Sequence, residues 1–342
     1  MANELQHATN GADGDNIYDM IIVGAGPTGL FGSFYAGMRG LKTLIVDALP
    51  EIGGQVAVLY PEKYIYDVPG FAKILGRDLV KHLYEQAMTF HPDIHLEEQV
   101  TDLTVHGERD IELATTKRVY RTRSVVISAG VGAFSPNKLP IPNAAQYEGR
   151  GVSYFVKEKA AFRGKNLLIV GGGDSAVDWA LNLKDYAKHV TLIHRRDQFR
   201  AHEHSVAELR ESQVAIKLFY ELKELHGDGR LRAATIFDNR TNEHEEIPVD
   251  AVLAFLGFKA DAGPIKNWGL EMEGKGRAIK VGPNYETNLP GVFAAGDIAG
   301  SPVKLDLIAV CFGQAAIAVN SAKAYIDPKA KLFPGHSSEM RL

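Results

Sequence analysis

Two glycine-rich turns in this chain of 342 residues have the spacing that holds the phosphates of a dinucleotide. The sequence GAGPTG spans residues 24–29, and GGGDSA spans residues 171–176. In such a turn the first glycine permits a tight bend, the second lets the backbone approach a pyrophosphate, and the third small residue lets a helix pack on a strand. The N–H groups at the start of that helix then bind the phosphates. The candidate phosphate-binding residues are Gly24, Gly26, Thr28 and Gly29 in the first turn, and Gly171, Gly173, Asp174, Ser175 and Ala176 in the second.

The residue at the tip of the following strand distinguishes the two turns. Asp47 lies 23 residues after Gly24, where a carboxylate can accept hydrogen bonds from both ribose hydroxyls of an unphosphorylated adenosine. A glycine turn alone is a weak signal, because it also occurs for packing reasons only. With a strand before it, a helix after it and an acid in place, the pattern predicts a dinucleotide. FAD fits this turn because its adenosine carries no 2′-phosphate.

The same distance from Gly171 leads to His194 instead of a carboxylate. Arg195 and Arg196 follow directly, and Arg200 is close by in the sequence. Guanidinium groups match phosphate oxygens with paired hydrogen bonds, so this cluster predicts a site for the 2′-phosphate of NADPH rather than for NADH. The alternative is a basic turn that is merely exposed to solvent.

The elements that must position these residues form two copies of one pattern. YDMIIVGAG predicts a strand that ends in glycines, PTGLFGSFYAGMRG a helix closed by Gly40, and KTLIVDAL a second buried strand. The segment GKNLLIVGGGDSAVDWALNLKDYAKHVTLIHRR repeats the order of strand, turn, helix and strand. Because a strand–helix–strand unit implies a parallel sheet, we expect an α/β fold with two Rossmann-like, three-layer dinucleotide-binding domains.

The second domain is predicted to be inserted in the first, with crossing segments near Gly130 and Gly257. These glycines follow two similar strand patterns, VVISAGVGAF and AVLAFLGFKAD. The FAD-binding domain then comprises residues 17–130 and 260–342, and the NADPH-binding domain comprises residues 131–259. Residues 1–16 are polar and predict a disordered tail.

Two nucleotides on one chain indicate a relay in which hydride passes from NADPH to FAD. A later segment, GVFAAGD, supports this interpretation because Asp297 would follow a strand and reach the flavin polyol. The next segment, KLDLIAVCFGQAAIAVN, predicts a helix whose N-terminus could stabilise charge on the reduced flavin. The alternative for Asp297 is an ordinary turn or capping aspartate.

The composition argues against several other classes of protein. The net charge is −4, from 38 basic and 42 acidic residues, whereas proteins that bind nucleic acid or membranes are usually strongly basic. Cys311 is the single cysteine, so the chain alone can form neither a disulfide nor a cysteine-based metal site, and we expect no metal. Neither a signal peptide nor a membrane-spanning stretch is visible, so we expect a cytoplasmic protein.

Several motifs make a resemblance specific: VGAGPTG, GGQ at residues 53–55, GRGVSYF, VGGGDSAVDWAL, HRRDQFRAH and GVFAAGD. From about Tyr18 to the C-terminus the chain resembles the thioredoxin reductase fold of flavoproteins. In a thioredoxin reductase a CxxC pair follows GVS, but here the segment reads GVSYFVKEKAAF and contains no sulfur. The segments LYPEKYIYDVPG and FPGHSSE resemble instead the thioredoxin reductase-like ferredoxin–NADP⁺ reductases.

This resemblance implies further site residues and a homodimer with one FAD in each subunit. Tyr60 is expected to stack on one face of the flavin, and His336 to lie near the other face, carried there by the C-terminal extension of the second subunit. One of these rings must then move before nicotinamide reaches the flavin, and no acid–base catalyst is implied. The implied FAD contacts are Asp47, Gln55, Tyr60, Val100, Phe134, Asp297 and Ser338.

The activity that the resemblance implies is hydride exchange between NADPH and FAD, followed by transfer of single electrons to or from ferredoxin or flavodoxin. Two alternatives stay open at this stage. One is an NADPH-dependent flavin reductase of quinones or dyes, as in a diaphorase. The other is a non-catalytic sensor that binds flavin or NADP.

Overall fold

The computed structural model describes residues 17–261, 263–274, 276–300, 305–333 and 335–339. The predicted tail, residues 1–16, therefore lies outside the described residues. In the described part there are six α-helices: α1 (Pro27–Met38), α2 (Gly54–Leu59), α3 (Gly76–Ala87), α4 (Asp174–Leu183), α5 (Glu203–Glu211) and α6 (Ile308–Ile326). Short 3₁₀ helices occur at Met88–Phe90, Ala145–Tyr147, Lys159–Phe162, Gly263–Asn267 and Ser337–Glu339.

The strands, in chain order, are β1 (Met20–Val23), β2 (Thr43–Val46), β3 (Tyr64–Ile65), β4 (Ile74–Leu75), β5 (Asp93–His95), β6 (Val100–Gly107), β7 (Asp110–Thr115), β8 (Val119–Thr122), β9 (Val125–Ile127), β10 (Ala133–Pro136), β11 (Val152–Ser153), β12 (Asn166–Gly171), β13 (His189–His194), β14 (Ala215–Leu218), β15 (Tyr220–Gly227), β16 (Leu231–Asp238), β17 (His244–Pro248), β18 (Ala251–Phe255), β19 (Phe258–Asp261), β20 (Met272–Glu273), β21 (Ala278–Ile279) and β22 (Val292–Ala294).

The chain folds into two compact units. The first comprises the described residues of Met1–Ala57, Tyr64–Ala133 and Asp261–Leu342, and the second comprises Val58–Lys63 and Phe134–Ala260. The sequence alone assigns residues 58–63 to the first domain, but the structure groups them with the second. The reason is visible in Lys63, whose Nζ lies 2.7 Å from a carboxylate oxygen of Asp178 and 5.9 Å from the ring centre of Trp179.

The first unit is built on a parallel sheet of strand order β22-β9-β1-β2-β5. Successive side chains of β1 point to opposite faces of this sheet. Met20 and Ile22 pack in a core with residues of α1, α3 and α6, whereas Ile21 and Val23 pack against the antiparallel sheet β6-β7-β8. Because both faces are covered, every residue of β1 is buried, and three layers result.

The second unit repeats this arrangement on the parallel sheet β11-β18-β12-β13-β14. Leu167 and Ile169 of β12 pack with Trp179 of α4, and Leu168 packs with Ile236 of the antiparallel sheet β15-β16-β17. The predicted α/β class with parallel sheets is confirmed. No helix in the described ranges is long and apolar enough to cross a bilayer.

The turn between β1 and α1 leaves no room for side chains at two of its glycines. Gly24 has φ +113°, which disfavours any other residue, and a Cβ there would lie 2.5 Å from the carbonyl oxygen of Ser128. A Cβ on Gly29 would overlap the carbonyl oxygen of Gly24. The equivalent third residue of the second turn is Ala176, and its Cβ lies 2.9 Å from where a Cβ on Gly171 would be. Each helix therefore starts in direct contact with its turn.

Replacing Gly29 with alanine is expected to lower the free energy of unfolding by about 3 kcal/mol or more, because the new methyl group overlaps backbone rather than a movable side chain. The measurement is the thermal or urea midpoint of the purified variant. Gly313→Ala is the matched control, because no atom lies within 4 Å of a Cβ at this helical position. Equal midpoints for wild type and Gly29→Ala would contradict this account of the turn.

Candidate functional site

The first turn is bordered by a second pair of glycines at the start of α2, Gly53 directly before the helix and Gly54 as its first residue. The N–H of Gly53 donates a hydrogen bond of 2.8 Å to the carbonyl oxygen of Ala25. A Cβ on Gly26 would meet only the Cα of Gly54, at 4.0 Å, and Gly54 itself has φ +53°. The backbone at Gly26 is thus bare, which is the condition for close approach of a pyrophosphate.

Asp47 directly follows β2 and reaches back to this turn. One carboxylate oxygen accepts a hydrogen bond of 2.6 Å from the N–H of Ala25, and the other accepts one of 2.8 Å from Leu49. Burial raises the pKa of the Asp47 carboxyl, and these backbone hydrogen bonds oppose that rise. The carboxylate is therefore oriented next to the glycine turn.

Asp297 follows β22 and lies where three separate segments meet. Its two carboxylate oxygens lie 3.3 Å from the Nε2 of Gln55 and 3.6 Å from the Sγ of Cys311. Thr28, in the first turn of α1, touches the preceding residue, because a Cβ on Gly296 would lie 2.8 Å from its Oγ1. The structure thus brings together Thr28, Gln55 and Asp297, which are far apart in the sequence.

Two residues of this cluster were missed by sequence reasoning. From the sequence Cys311 was noted only as the single cysteine, yet its thiol faces Asp297. Gln314 accepts a hydrogen bond of 2.7 Å from the N–H of Gly296. The available signal was their spacing of three residues in a predicted helix, which places both on one face.

The remaining predicted residues of the first site lie elsewhere in the chain. Tyr60 is half-buried in the segment 58–63, which belongs to the second unit. Val100 starts β6 and is buried in the core of the first unit. Phe134 lies in β10, and its side chain is outside the described part. Ser338 and His336 are exposed, and the His336 ring packs edge-on against Phe333 at 5.3 Å.

A cavity of about 430 Å³ lies at the carboxyl ends of β12, β13 and β18 in the second unit. Ligands of open parallel sheets bind at this end of the strands. The cavity is lined by the glycine turn 171–173 and by Lys138, Leu139, Pro140, Val170, Ile193, His194, Arg195, Arg196, Arg200, Tyr220, Glu221, Leu222, Phe255, Leu256 and Gly257.

His194 packs against the loop that carries the arginines. Its ring stacks on Phe199 with centroids 5.4 Å apart, and it occupies the place where a Cβ on Gly172 would be. Burial lowers the pKa of His194, and the positive charge of Arg196 lowers it further, so the imidazole is neutral near pH 7. The positive charge of the cluster predicted from the sequence therefore comes from the arginines, and His194 contributes packing within the loop.

The loop after β13 folds back over the glycine turn. The N–H of Arg200 donates a hydrogen bond of 2.6 Å to the carbonyl oxygen of Gly172. A carboxylate oxygen of Asp174, the first residue of α4, accepts one of 2.9 Å from the N–H of His202. These contacts hold Arg200 at the turn, and Arg195 and Arg196 line the same cavity.

Known proteins are similar to this chain over most of its length. The sequence model of the pyridine nucleotide-disulphide oxidoreductases matches residues 18–321. The chain belongs to the pyridine nucleotide-disulphide oxidoreductase family. It is 53% identical to a ferredoxin–NADP reductase of Symbiobacterium thermophilum over 95% of this chain and 98% of the relative. It is 50% identical to a ferredoxin–NADP reductase of Halalkalibacterium halodurans, again over 95% and 98%.

The solved thioredoxin reductase of Lactococcus lactis has 28% identity and a TM-score of 0.74, with 90% of this chain and 99% of that chain covered. The predicted thioredoxin reductase-like fold is confirmed by this likeness. Members of the pyridine nucleotide-disulphide oxidoreductase family are oxidoreductases, and so is this protein. Its sequence contains one cysteine, Cys311, so a dithiol cannot form within one chain. Within the described ranges, no group of His, Cys, Asp and Glu is arranged to hold a metal ion.

Cys311 is expected to resist thiol reagents in the native protein. Burial, and then the negative charge of Asp297, raise the pKa of its thiol to about 11. Labelling by a disulfide reagent at pH 7.5 should be slower than in the denatured protein by on the order of 100-fold, because the thiolate is the nucleophile. The native rate should increase as the pH approaches 11, with Cys311→Ser as the blank. Rapid labelling of native protein at pH 7.5 would show that the thiol is accessible and ionised.

Proposed function

We propose that this protein is an FAD-dependent ferredoxin–NADP⁺ reductase. It exchanges hydride between NADPH and FAD, and it exchanges single electrons with ferredoxin or flavodoxin. The observation that carries the proposal is that one thioredoxin reductase-like chain contains two glycine turns with different charges after them. An aspartate follows the first turn, arginines follow the second, and the single cysteine is buried. The relatives named ferredoxin–NADP reductases, at 53% and 50% identity, support it.

The first unit fits FAD on its own geometry. The bare backbone at Gly26 admits a pyrophosphate, and Asp47 is held beside it to accept the hydrogen bonds of a ribose. Gln55 and Asp297 meet nearby and supply polar groups for the polyol. The residues of the first unit proposed to hold FAD are Gly24, Gly26, Thr28, Gly29, Asp47, Gln55, Val100, Asp297 and Ser338, and the family resemblance adds Tyr60 and Phe134. Hydride acceptance and one-electron release are the chemistry that FAD supplies when bound.

The second unit fits NADPH. The turn after β12 offers backbone N–H groups to the pyrophosphate, and the arginines that line the cavity supply paired donors for a 2′-phosphate. The residues proposed to bind NADPH are Gly171, Gly173, Asp174, Ser175, Ala176, His194, Arg195, Arg196 and Arg200. Because His194 is neutral and packed, it contributes support rather than charge.

The proposed route by which electrons leave the flavin follows from the lack of a CxxC pair in the sequence. A thioredoxin reductase of the usual type uses a CxxC pair, but here residues 152–162 read VSYFVKEKAAF. Cys311 stays protonated because burial raises its pKa to about 11. Electrons therefore pass directly to a separate one-electron carrier. We place this exchange in the cytoplasm, without nucleic acid or membrane as partner.

Access to the flavin is assigned to Tyr60 and His336. Tyr60 is proposed to cover one face, and His336 of the second subunit in a homodimer to cover the other. The exposure of His336 and Ser338 supports this assignment, because a segment that completes the partner's site must leave its own subunit. One ring then moves away so that nicotinamide can stack, and this movement can limit turnover.

The deciding experiment follows cytochrome c reduction with NADPH as donor. We expect rapid reduction only when ferredoxin is added, because the protein itself passes electrons to the carrier and not to cytochrome c. Equal rates with and without ferredoxin favour a quinone or diaphorase-type reductase. Failure of NADPH to bleach the bound flavin favours a non-catalytic sensor.

Replacing Arg195 and Arg196 together by alanine should raise the KM for NADPH by about 10- to 100-fold, since hydrogen bonds to a charged phosphate are lost. The KM for NADH should change far less, because NADH carries no 2′-phosphate. The matched control is Arg163→Ala, an exposed arginine of the same unit that lies over the Tyr186 ring and outside the cavity. Parallel increases for both nucleotides would rule out the 2′-phosphate assignment.

A further inference from the structure

The arginine loop after β13 is held by a residue that is far away in the sequence. Asn239 lies in the turn between β16 and β17, and its Nδ2 donates a hydrogen bond of 3.0 Å to the carbonyl oxygen of Arg195. The same Nδ2 donates a second hydrogen bond of 2.9 Å to Oε1 of Glu221 in β15. A side-chain amide has two N–H donors, so both are used here. One amide thus joins three elements of the second unit.

The turn that carries Asn239 is itself fixed on the antiparallel sheet. The N–H of Asn239 donates a hydrogen bond of 2.8 Å to the carbonyl oxygen of Phe219, which has φ +65°. The adjacent Arg240 pairs with Asp238 at 2.6 Å, and its guanidinium lies 4.0 Å from the centre of the Phe219 ring. The Asn239 side chain therefore starts from a well-determined backbone position, next to the cavity wall formed by β15.

The two ends of the arginine loop are each anchored by contacts other than the Asn239 hydrogen bond. His194 ends β13 and packs on Phe199, and Arg200 is bonded through its backbone to the glycine turn. The carbonyl of Arg195 lies between these anchors, and the peptide that follows it carries Arg196. A hydrogen bond at this carbonyl fixes the orientation of that peptide, and with it the directions in which both guanidinium groups leave the backbone.

We propose that Asn239 is a positioning residue for recognition of the 2′-phosphate. It holds the Arg195–Arg196 peptide so that both guanidinium groups face the cavity, and Glu221 holds the amide in turn. This inference rests on the proposed NADPH site in the second unit. Asn239 does not itself line the cavity, so its effect is confined to the arrangement of the arginines.

The first measurement is calorimetric binding of 2′,5′-ADP to the FAD-loaded protein. Asn239→Ala should weaken this binding by about threefold to tenfold, the range that one net hydrogen bond is worth. In a ferricyanide assay its KM for NADPH should rise by the same factor, with kcat and the KM for NADH unchanged. Thr241→Ala is the matched control, because Thr241 lies in the same turn and its hydroxyl accepts a hydrogen bond of 3.3 Å from the N–H of Glu243, also in this turn. This control should bind 2′,5′-ADP like wild type.

A second variant separates loss of the hydrogen bond to Arg195 from loss of the contact between the turn and β15. The double change E221Q plus N239D keeps the net charge, and the new glutamine amide can donate to the new carboxylate. The contact between turn and strand is thereby restored, but the carbonyl of Arg195 still has no donor from residue 239. We expect the double variant to bind 2′,5′-ADP as weakly as Asn239→Ala.

The outcomes are distinguishable. Wild-type affinity for 2′,5′-ADP in Asn239→Ala or in the double variant overturns the inference, as does equal weakening in Thr241→Ala. Wild-type protein that does not bind 2′,5′-ADP overturns the inference together with the NADPH site. A shift in 2′,5′-ADP affinity without any turnover of ferredoxin supports the positioning role while the proposed reductase activity fails.

Discussion

The close packing of a helix start against the end of the strand before it is the constraint on which both nucleotide sites depend. At Gly29 a methyl group would overlap the carbonyl oxygen of Gly24, and at Gly171 a Cβ would lie 2.9 Å from the Cβ of Ala176 in α4. Because helix and strand approach so closely, the first N–H groups of the helix point out of the sheet edge with no partner in the helix. The buried parallel sheet of each unit, covered on both faces, keeps these groups in place.

The two units share the backbone geometry of strand, turn and helix but differ in the charge of the residues that follow the second strand. In the first unit the strand after the turn ends at Asp47, whose carboxylate is held by backbone N–H groups of Ala25 and Leu49. In the second unit the equivalent position is His194, a neutral ring that packs in the space left by Gly172. The arginines beside it carry the positive charge. An acidic and a basic strand end therefore follow the same arrangement of strand, turn and helix.

The surroundings of Asp297 show how this chain differs from a disulfide reductase on the same scaffold. Its single thiol lies 3.6 Å from the Asp297 carboxylate, and burial together with that charge keeps it protonated. A protonated thiol neither attacks a disulfide nor exchanges with a dithiol. Here the cysteine is a packed neighbour of the Asp297 carboxylate, and the single thiol of the chain cannot form a dithiol with itself.

The sequence by itself determined the two strand–turn–helix–strand units, the difference between Asp47 and the arginine cluster, and the lack of a dithiol. These depend on local periodicity, glycine spacing and residue type, which can be recognised within about 35 residues of chain. Only the tertiary structure decided that residues 58–63 join the second unit, that Cys311 faces Asp297, and that Asn239 holds Arg195. Each of these depends on contacts between distant segments, and such contacts impose no pattern on either segment alone.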